Sequence, residues 1–308
     1  LHCKDMTGKE INSKLIARVK ELKNVSILEN STLVDLLVAG DRCHGAVLRD
    51  QAGKLSNVYA QSTLLATGGI GGLFSKTTNF AHLTGDAIAI ALKHGIRVKD
   101  LDYVQIHPTS LYTGRSGRAF LMSESLRGEG AILVGKDGQR FADELLPRDL
   151  LTKAIYTQME KDRLPYVRML LKGHVEESIA GRFPGIHAHC LQEGYDLVED
   201  YIPIVPAQHY FMGGIAVDLN SKTSLANLYA AGETSCNGIH GKNRLASNSL
   251  LESLVFSKRA AQAIDESFQC ALPYPFPEPD ARSIEAGLKE ANRKLLEEIG
   301  IEEEAHAK

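Results

Sequence analysis

Four stretches of this sequence gather histidine, arginine, acid and glycine more densely than a fold requires. The first is His107-Pro108-Thr109, where a histidine before proline serves as a structural residue as readily as a reactive one. The second runs Ser123-Glu124-Ser125-Leu126-Arg127-Gly128-Glu129-Gly130 and is followed by Arg140-Phe141 and Pro147-Arg148-Asp149. Surface ion pairs, worth under about 1 kcal/mol each, would account for part of it, and Arg140 is assigned to such a pair. The third is Gln208-His209-Tyr210-Phe211-Met212-Gly213-Gly214, whose glycines allow backbone to approach a ligand closely. The fourth, His240-Gly241-Lys242-Asn243-Arg244-Leu245-Ala246-Ser247-Asn248-Ser249-Leu250, sets an arginine just before a helix N-terminus, so a cation and backbone N–H groups face one space. Two histidines and two or three arginines at loop positions, near glycine-rich strand ends, describe a pocket for a small dianion. Arginine grips carboxylate with a planar two-bond fork, and histidine adds a directional donor. A dicarboxylate suits this set better than a phosphate, because no glycine-rich phosphate loop with its lysine is present.

The elements that must position these groups are readable from pattern. Lys9 to Leu22 places Ile11, Leu15, Val19 and Leu22 on one helical face, and a strand is expected at Val25 to Leu28. Short β-rich runs at Leu33 to Val38, Ala46 to Leu48, Asn57 to Tyr59 and Ser62 to Leu65 predict a three-stranded antiparallel meander returning to a buried strand. That last strand, Thr63 to Ala66, empties into Thr67-Gly68-Gly69, as an α/β sheet does where it presents backbone to a ligand; a turn that needs glycine is the plainer alternative. Thr84 to Gly95 reads as a helix with Asp86 in its first turn, suited to the helix dipole. Between about Tyr103 and His209 the pattern changes to polar loops and glycine turns, with a helix from Arg148 to Lys161, which predicts an inserted domain. Sheet elements resume at Leu228 to Ala231, ending at Gly232-Glu233, and a long helix follows from Ser249 to Phe268 behind an Asn248 or Ser247 cap. Pro273, Pro275, Pro277 and Pro279 predict a stiff linker, and Ile284 to Ile299 a solvated helix without partners.

The 308 residues suffice for two domains. A net charge of -3 gives no global basic field, so nucleic acid is not an expected partner, and no apolar run approaches membrane-spanning length. Five scattered cysteines without a C-x-x-C pair predict a reduced, cytoplasmic protein without disulfides.

The motifs HPTSLY, SESLRGEGAIL, LPRD, PAQHYFMGGI, AAGET and GKNRLASNSLLESLVF, in this order and spacing, resemble the succinate dehydrogenase and fumarate reductase flavoprotein family across almost the whole chain. Within it, NRLASNSLLE and VPAQHYFMGGI are most similar to the branch that oxidises L-aspartate. The resemblance implies an α/β plus α+β fold: a partial Rossmann-like FAD-binding domain with an antiparallel meander and an inserted capping domain. The boundaries it suggests are 1–102 and 210–272 for the FAD-binding domain, 103–209 for the cap, and 273–308 for a linker and the start of a helical region. It further implies that His107, Ser123, Glu124, His209 and Arg244 hold the substrate carboxylates and that Arg148 transfers a proton supplied through Arg127 and Glu124. Family members usually carry threonine where this chain has Ser123; the hydroxyl is kept. FAD, held non-covalently, would meet Thr67, Gly68, Gly69, Asp86, Gly232, Glu233, Asn248, Ser249 and Leu250, with a simple cap or ion pair as the alternative for Glu233. No metal is implied.

The implied reaction is hydride transfer from aspartate to flavin N5, giving iminoaspartate for NAD biosynthesis, with oxygen or fumarate as electron acceptor and quinolinate synthase as a partner. A dehydrogenase or fumarate reductase flavoprotein subunit acting on succinate or fumarate is the sister reading, and an inactive dicarboxylate-binding fragment the third. The sequence departs from the family in one respect. No G-x-G-x-x-G occurs, since Gly69-Ile70-Gly71-Gly72 and Gly128-Glu129-Gly130 both fail at the last position. The phosphate-gripping segment is therefore expected before Leu1 and the rest of the helical domain after Lys308, so this chain is expected to hold FAD weakly or not at all.

Overall fold

A computed structural model describes residues 5–115, 117–173, 179–268 and 274–301. In chain order, helix α1 (Thr7–Lys20) precedes strands β1 (Thr32–Ala39), β2 (Arg42–Arg49), β3 (Leu55–Tyr59), β4 (Thr63–Leu65) and β5 (Lys76–Thr77). Helix α2 (Asp86–Lys93) is followed by β6 (Val98–Lys99), β7 (Val104–Leu111) and β8 (Gly117–Arg118). Then come α3 (Glu124–Gly128), β9 (Ile132–Val134), α4 (Arg148–Asp162), β10 (Val167–Leu170), α5 (Ile179–Arg182) and α6 (Pro184–Gln192). The chain ends with β11 (Ile202–Phe211), β12 (Gly214–Ala216), β13 (Leu228–Ala230), β14 (Ser235–Cys236), α7 (Asn248–Glu266) and α8 (Ala281–Ile299).

These elements form two compact units. The first gathers Leu1–Ile27, Lys76–Phe80 and Ile106–His209. Its sheet runs β8-β5-β11-β10-β9, with β7 also paired to β11. Leu133, Met169, Ile202 and Ile204 from the strands close a core with Leu126 of α3, Leu151 and Ile155 of α4 and Cys190 of α6. Two short segments join this unit although the sequence groups them with 1–102. Thr77 registers against Gln208 in a parallel pairing, and its hydroxyl donates to Gln208 Oε1 at 2.7 Å. Asp5 accepts the Ile186 N–H at 2.9 Å in the first turn of α6, where a carboxylate is favoured. Helix α1 buries none of its residues, and the strand expected at 25–28 is irregular backbone, with Val25, Ile27 and Leu28 exposed.

The second unit gathers Leu28–Ser75, Ala81–Gln105 and Tyr210–Lys308. Its meander is antiparallel, β1 to β2 to β3, and alternate residues Cys43, Gly45 and Val47 of β2 turn inward, as the period of two requires. Helix α2 buries all of Ala87–Ala91, and its expected small residues serve close packing. The helix predicted to be solvated is instead part of this core. In α8, Ala291 and Leu295 pack with α2 while Ile284 packs with Val34 and Val47 of the meander. An Asp280 side chain caps it by accepting the Ser283 N–H, and Gly300 ends it in the left-handed region. The proline-rich segment before it also lies against the meander: Asn57 Nδ2 donates to the Pro277 carbonyl at 2.9 Å, and Phe276 packs beside Tyr59 and His44. Pro273 lies outside the described residues.

Strands β4 and β13 pair in parallel, Leu65 against Ala230. Only Leu65 of β4 is buried, so the strand is shielded on one face rather than both. Strand β12 pairs with β14 and β6. Cys43, Cys190 and Cys236 are buried thiols; Cys3 and Cys270 lie outside the described residues. Among the described residues no helix is long and apolar enough to cross a membrane, and no cluster of metal-ligating side chains occurs.

Candidate functional site

In the first unit, the two histidines lie on strands rather than in the loops the sequence suggests: His107 on β7 and His209 on the neighbouring β11. Their rings meet edge to face with centroids 5.1 Å apart. His107 is buried, and its Nδ1 lies within 3.2 Å of the Thr109 backbone. Burial, then His209, Arg148 and Arg127, hold its pKa well below the ordinary range, so the ring is neutral. His209 Nδ1 sits 2.8 Å from the Thr78 hydroxyl, which fixes its orientation.

Beside them, Ser123 caps the short α3 by accepting the Ser125 N–H at 3.2 Å, a role the sequence did not assign to it. The cap sets Glu124 at the start of that helix and Arg127 at its end. Arg148 begins α4 and donates to Glu124 Oε2 through Nε at 3.0 Å and Nη2 at 2.7 Å. Arg127 Nη2 approaches the same oxygen at 3.9 Å, and another of its nitrogens donates to the Glu144 carbonyl. Burial lowers the Arg127 pKa, with Glu124 opposing. Glu124 thus stands between two guanidinium groups, one carboxylate against two fixed cations, with neutral His107 nearby. Such a row leaves a positive balance that favours an anion. Arg140 forms the expected ion pair, with Glu144 at 2.6 Å.

In the second unit, the parallel pairing of β4 with β13 carries Thr67-Gly68-Gly69 and Gly232-Glu233 to neighbouring strand ends. The Ala231 N–H donates to the Leu65 carbonyl at 3.0 Å, and the Thr67 and Thr234 hydroxyls lie 3.0 Å apart. A β-carbon on Gly69 would fall 2.6 Å from Glu233 Oε1, so the acid fills the space the missing side chain leaves. Glu233 accepts the Phe211 N–H at 2.9 Å, and burial pushes its pKa up to about 7. Asp86 opens α2, where it accepts the Thr84 hydroxyl at 2.7 Å.

Helix α7 starts at Asn248, preceded by Ser247 in the left-handed region, and neither expected cap closes it: no side chain hydrogen-bonds its first turn from the cap position. The N–H groups at Ser249 and Leu250 therefore open a helix whose positive end carries no side-chain acceptor from its cap. Arg244 is buried and folds onto that turn, its Nη1 3.3 Å from Ser249 Oγ, while its guanidinium carbon lies 4.6 Å from the centre of the Tyr210 ring. Gln105 holds the Arg244 carbonyl at 2.8 Å.

Sequence reasoning missed Glu252. It is buried on α7 and accepts from Tyr210 Oη at 2.6 Å, Asn237 Nδ2 at 2.8 Å and His240 at 2.7 Å. The signal was present, since Glu252 shares one helical stripe with Phe256, Ala260 and Ala263, all buried. An acid at the inward phase of an amphipathic helix asks for partners. The glycines after Phe211 also differ from expectation: positions for side chains on Gly213 and Gly214 are taken by the carbonyls of Asp100 and Thr234, so they serve the protein's own backbone packing.

The first unit therefore assembles His107, His209, Ser123, Glu124, Arg127 and Arg148, and the second assembles Thr67, Gly68, Gly69, Gly232 and Glu233 at its strand ends, with Arg244, Asn248, Ser249 and Leu250 at the start of α7.

Comparison with known proteins gives a consistent picture. The family described as FAD binding domain matches residues 2–250. An L-aspartate oxidase of Clostridium perfringens is 51% identical over 263 residues, covering 85% of this chain and 60% of the relative. That of Clostridium acetobutylicum is 50% identical over 271 residues, covering 87% of this chain and 62% of the relative. Among solved structures, a variant of the E. coli quinol fumarate reductase superposes with a TM-score of 0.79 at 31% identity, covering 95% of this chain and 53% of that one. The chain thus spans about 60% of the length of the curated relatives it matches.

Proposed function

The chain belongs to the FAD-binding domain family, and from that premise we propose that it serves the flavin-dependent oxidation of L-aspartate to iminoaspartate, with the unit containing Ile106–His209 acting as the cap. The half-identity to L-aspartate oxidases supports this reading over that of a succinate or fumarate enzyme, whose solved relative is 31% identical. The observation that carries it is the row Arg148–Glu124–Arg127, two cations sharing one carboxylate beside a neutral, buried histidine.

The residues present fit a flavin site in part. Paired strand ends with left-handed Gly68 and Gly232, and a helix start at Ser249 and Leu250 that has no side-chain cap, the Leu250 N–H meeting the Ser247 carbonyl at a long 3.3 Å, suit the close approach of a large planar ligand and the stabilisation of negative charge on it. Thr67, Gly69, Glu233 and Asn248 complete that wall, and Asp86 is assigned a polar contact. Non-covalently bound FAD supplies a two-electron acceptor for the substrate hydride.

The remaining work falls to side chains of this chain. His107, Ser123 and His209 in the first unit, and Arg244 in the second, are each assigned to a substrate carboxylate, contacts that would fix the direction of the reacting C–H bond. Ser123 accepts the Ser125 N–H in its cap and donates its own O–H to Ser125 Oγ at 3.3 Å, a long bond that a substrate carboxylate would replace. As a guanidinium held by two bonds to Glu124, Arg148 can take the proton lost from the substrate only as one of its own N–H protons moves to Glu124, and Arg127, next in the row, must release a proton toward solvent as it receives one. The lowered pKa of buried Arg127 suits a guanidinium that must exchange a proton. Oxygen or fumarate then takes up the electrons, and iminoaspartate passes to an enzyme such as quinolinate synthase.

A flavin spectrum of the protein reconstituted with FAD decides the matter. Bleaching on addition of aspartate without oxygen is the expected result. Bleaching by succinate alone would assign the chain to the sister enzymes, and a colourless protein that still binds succinate would make it a passive dicarboxylate-binding fragment.

A further inference from the structure

Glu252 has no place in the reaction just described, yet it is among the most deeply buried acids of the molecule, at 3% exposure. Burying a carboxylate is costly unless its oxygens are satisfied, and here three donors converge on it. Tyr210 Oη and His240 Nε2 meet Oε2 at 2.6 and 2.7 Å, and Asn237 Nδ2 meets Oε1 at 2.8 Å. Burial and the neighbouring carboxylate raise the Tyr210 pKa, so the phenol remains a donor. The Tyr210 ring in turn forms the floor under the Arg244 guanidinium, 4.6 Å from ring centre to Cζ. Arg244 is also held by the Leu245 carbonyl and Ser249 Oγ, each 3.3 Å from Nη1.

Ser249 and Glu252 are one turn apart on α7, so a single helix fixes two of the arginine's contacts: the first turn directly, and the ring through the carboxylate. An apolar residue at 252 would fill the core as well but would leave the ring free to rock. We propose that Glu252 is a positioning residue for Arg244, acting through Tyr210 and steadied by His240 and Asn237, and that it sets the affinity for the dicarboxylate substrate class. The second clause rests on reading Arg244 as a carboxylate clamp; the first does not.

The test uses Glu252→Gln and the milder Tyr210→Phe, which keeps the ring and removes only its anchor. In protein carrying isotope-labelled arginine, the Arg244 side-chain signal, identified by its loss in Arg244→Leu, is expected to be displaced by the ring current of Tyr210. Both variants should move it toward the position of an unstacked arginine. An unchanged signal in folded variants would overturn the proposal. In the FAD-loaded protein, succinate should bind about tenfold more weakly to Glu252→Gln, and adding Glu252→Gln to Arg244→Leu should cost little more, since coupled residues are not additive. Full additivity, or a loss of melting temperature with succinate binding intact, would make Glu252 a structural residue only. If the parent protein fails to bind succinate while the arginine signal behaves as expected, the positioning role stands and the dicarboxylate reading falls.

Discussion

Arg148 and Arg244 are both buried guanidinium groups, but their surroundings ask different things of them. Arg148 is aimed by two bonds to one carboxylate oxygen, a geometry lysine cannot copy with a single nitrogen. Arg148→Lys in the FAD-loaded protein is expected to cut kcat by at least about 100-fold while changing KM by less than about threefold. Steady-state kinetics with aspartate check this, and an unchanged kcat refutes the proton-transfer role. Arg244 places its guanidinium carbon 4.6 Å from the centre of an aromatic ring at the start of a helix, a setting that suits the proposed binding role. Arg244→Leu should weaken succinate binding by about 100-fold, the loss of a bidentate charge-assisted contact; calorimetric titration of the FAD-loaded protein measures it. Residue types were legible at this scale and their settings were not. The sequence placed His107 and His209 in loops because Pro108 and Pro206 interrupt the strand pattern, yet both prolines lie within strands of the first unit's sheet.

Among elements, those with a strong internal pattern were readable: the meander by its alternation, and α4, read from Arg148, by its spacing of Leu151 and Ile155. Others depended on contacts far away in the chain. Apolar residues at 25–28 suggested a strand, but none of these four residues acquires a ladder among the described residues. Helix α8 looked solvated because only Ile284, Ala291 and Leu295 of its apolar residues reach full burial, and their partners on α2 and the meander lie about two hundred residues earlier. Glycine roles were harder still. The pair at 213 and 214 suggests ligand contact, whereas a β-carbon on Gly213 would come within 2.1 Å of the Asp100 carbonyl. Backbone cannot yield to it as a side chain would, so Gly213→Ala should destabilise the protein by about 2–4 kcal/mol. Denaturant unfolding of variant and parent gives the difference, and a value near zero would show that the local turn can open.

At the scale of the whole molecule, two buried groups give stability opposite dependences on pH. An unfolded chain protonates His107 as pH falls through its ordinary value of 6.5, whereas the native ring resists, so acidification below that point favours unfolding. Glu233 works the other way. Unfolded, it ionises at 4.5; folded, it keeps its proton to about 7, so stability present at low pH is lost as pH rises across that interval. Between about pH 5 and 7 the two slopes oppose each other, and single variants should separate them. Glu233→Gln is expected to lose stability on acidification more steeply than the parent, and His107→Gln to lose less or gain. Denaturant midpoints at three pH values in that window test the pair, and parallel slopes in both variants would rule the assignment out.

The pairing of β4 with β13 also constrains how the protein is made. Thr67 and Thr234, which meet across those strand ends, are 167 positions apart, and all of Ile106–His209 lies between them. At a ribosomal rate of roughly 5 to 20 residues per second, the first strand end waits roughly ten to thirty seconds for its mate. Over that interval the intervening unit can finish its own core, while the nascent glycine-rich edge stays open to wrong partners. Synthesis therefore delivers Ile106–His209 first and the mate of β4 last, and a chaperone bound to the emerging chain between those two events would act where assembly is most exposed.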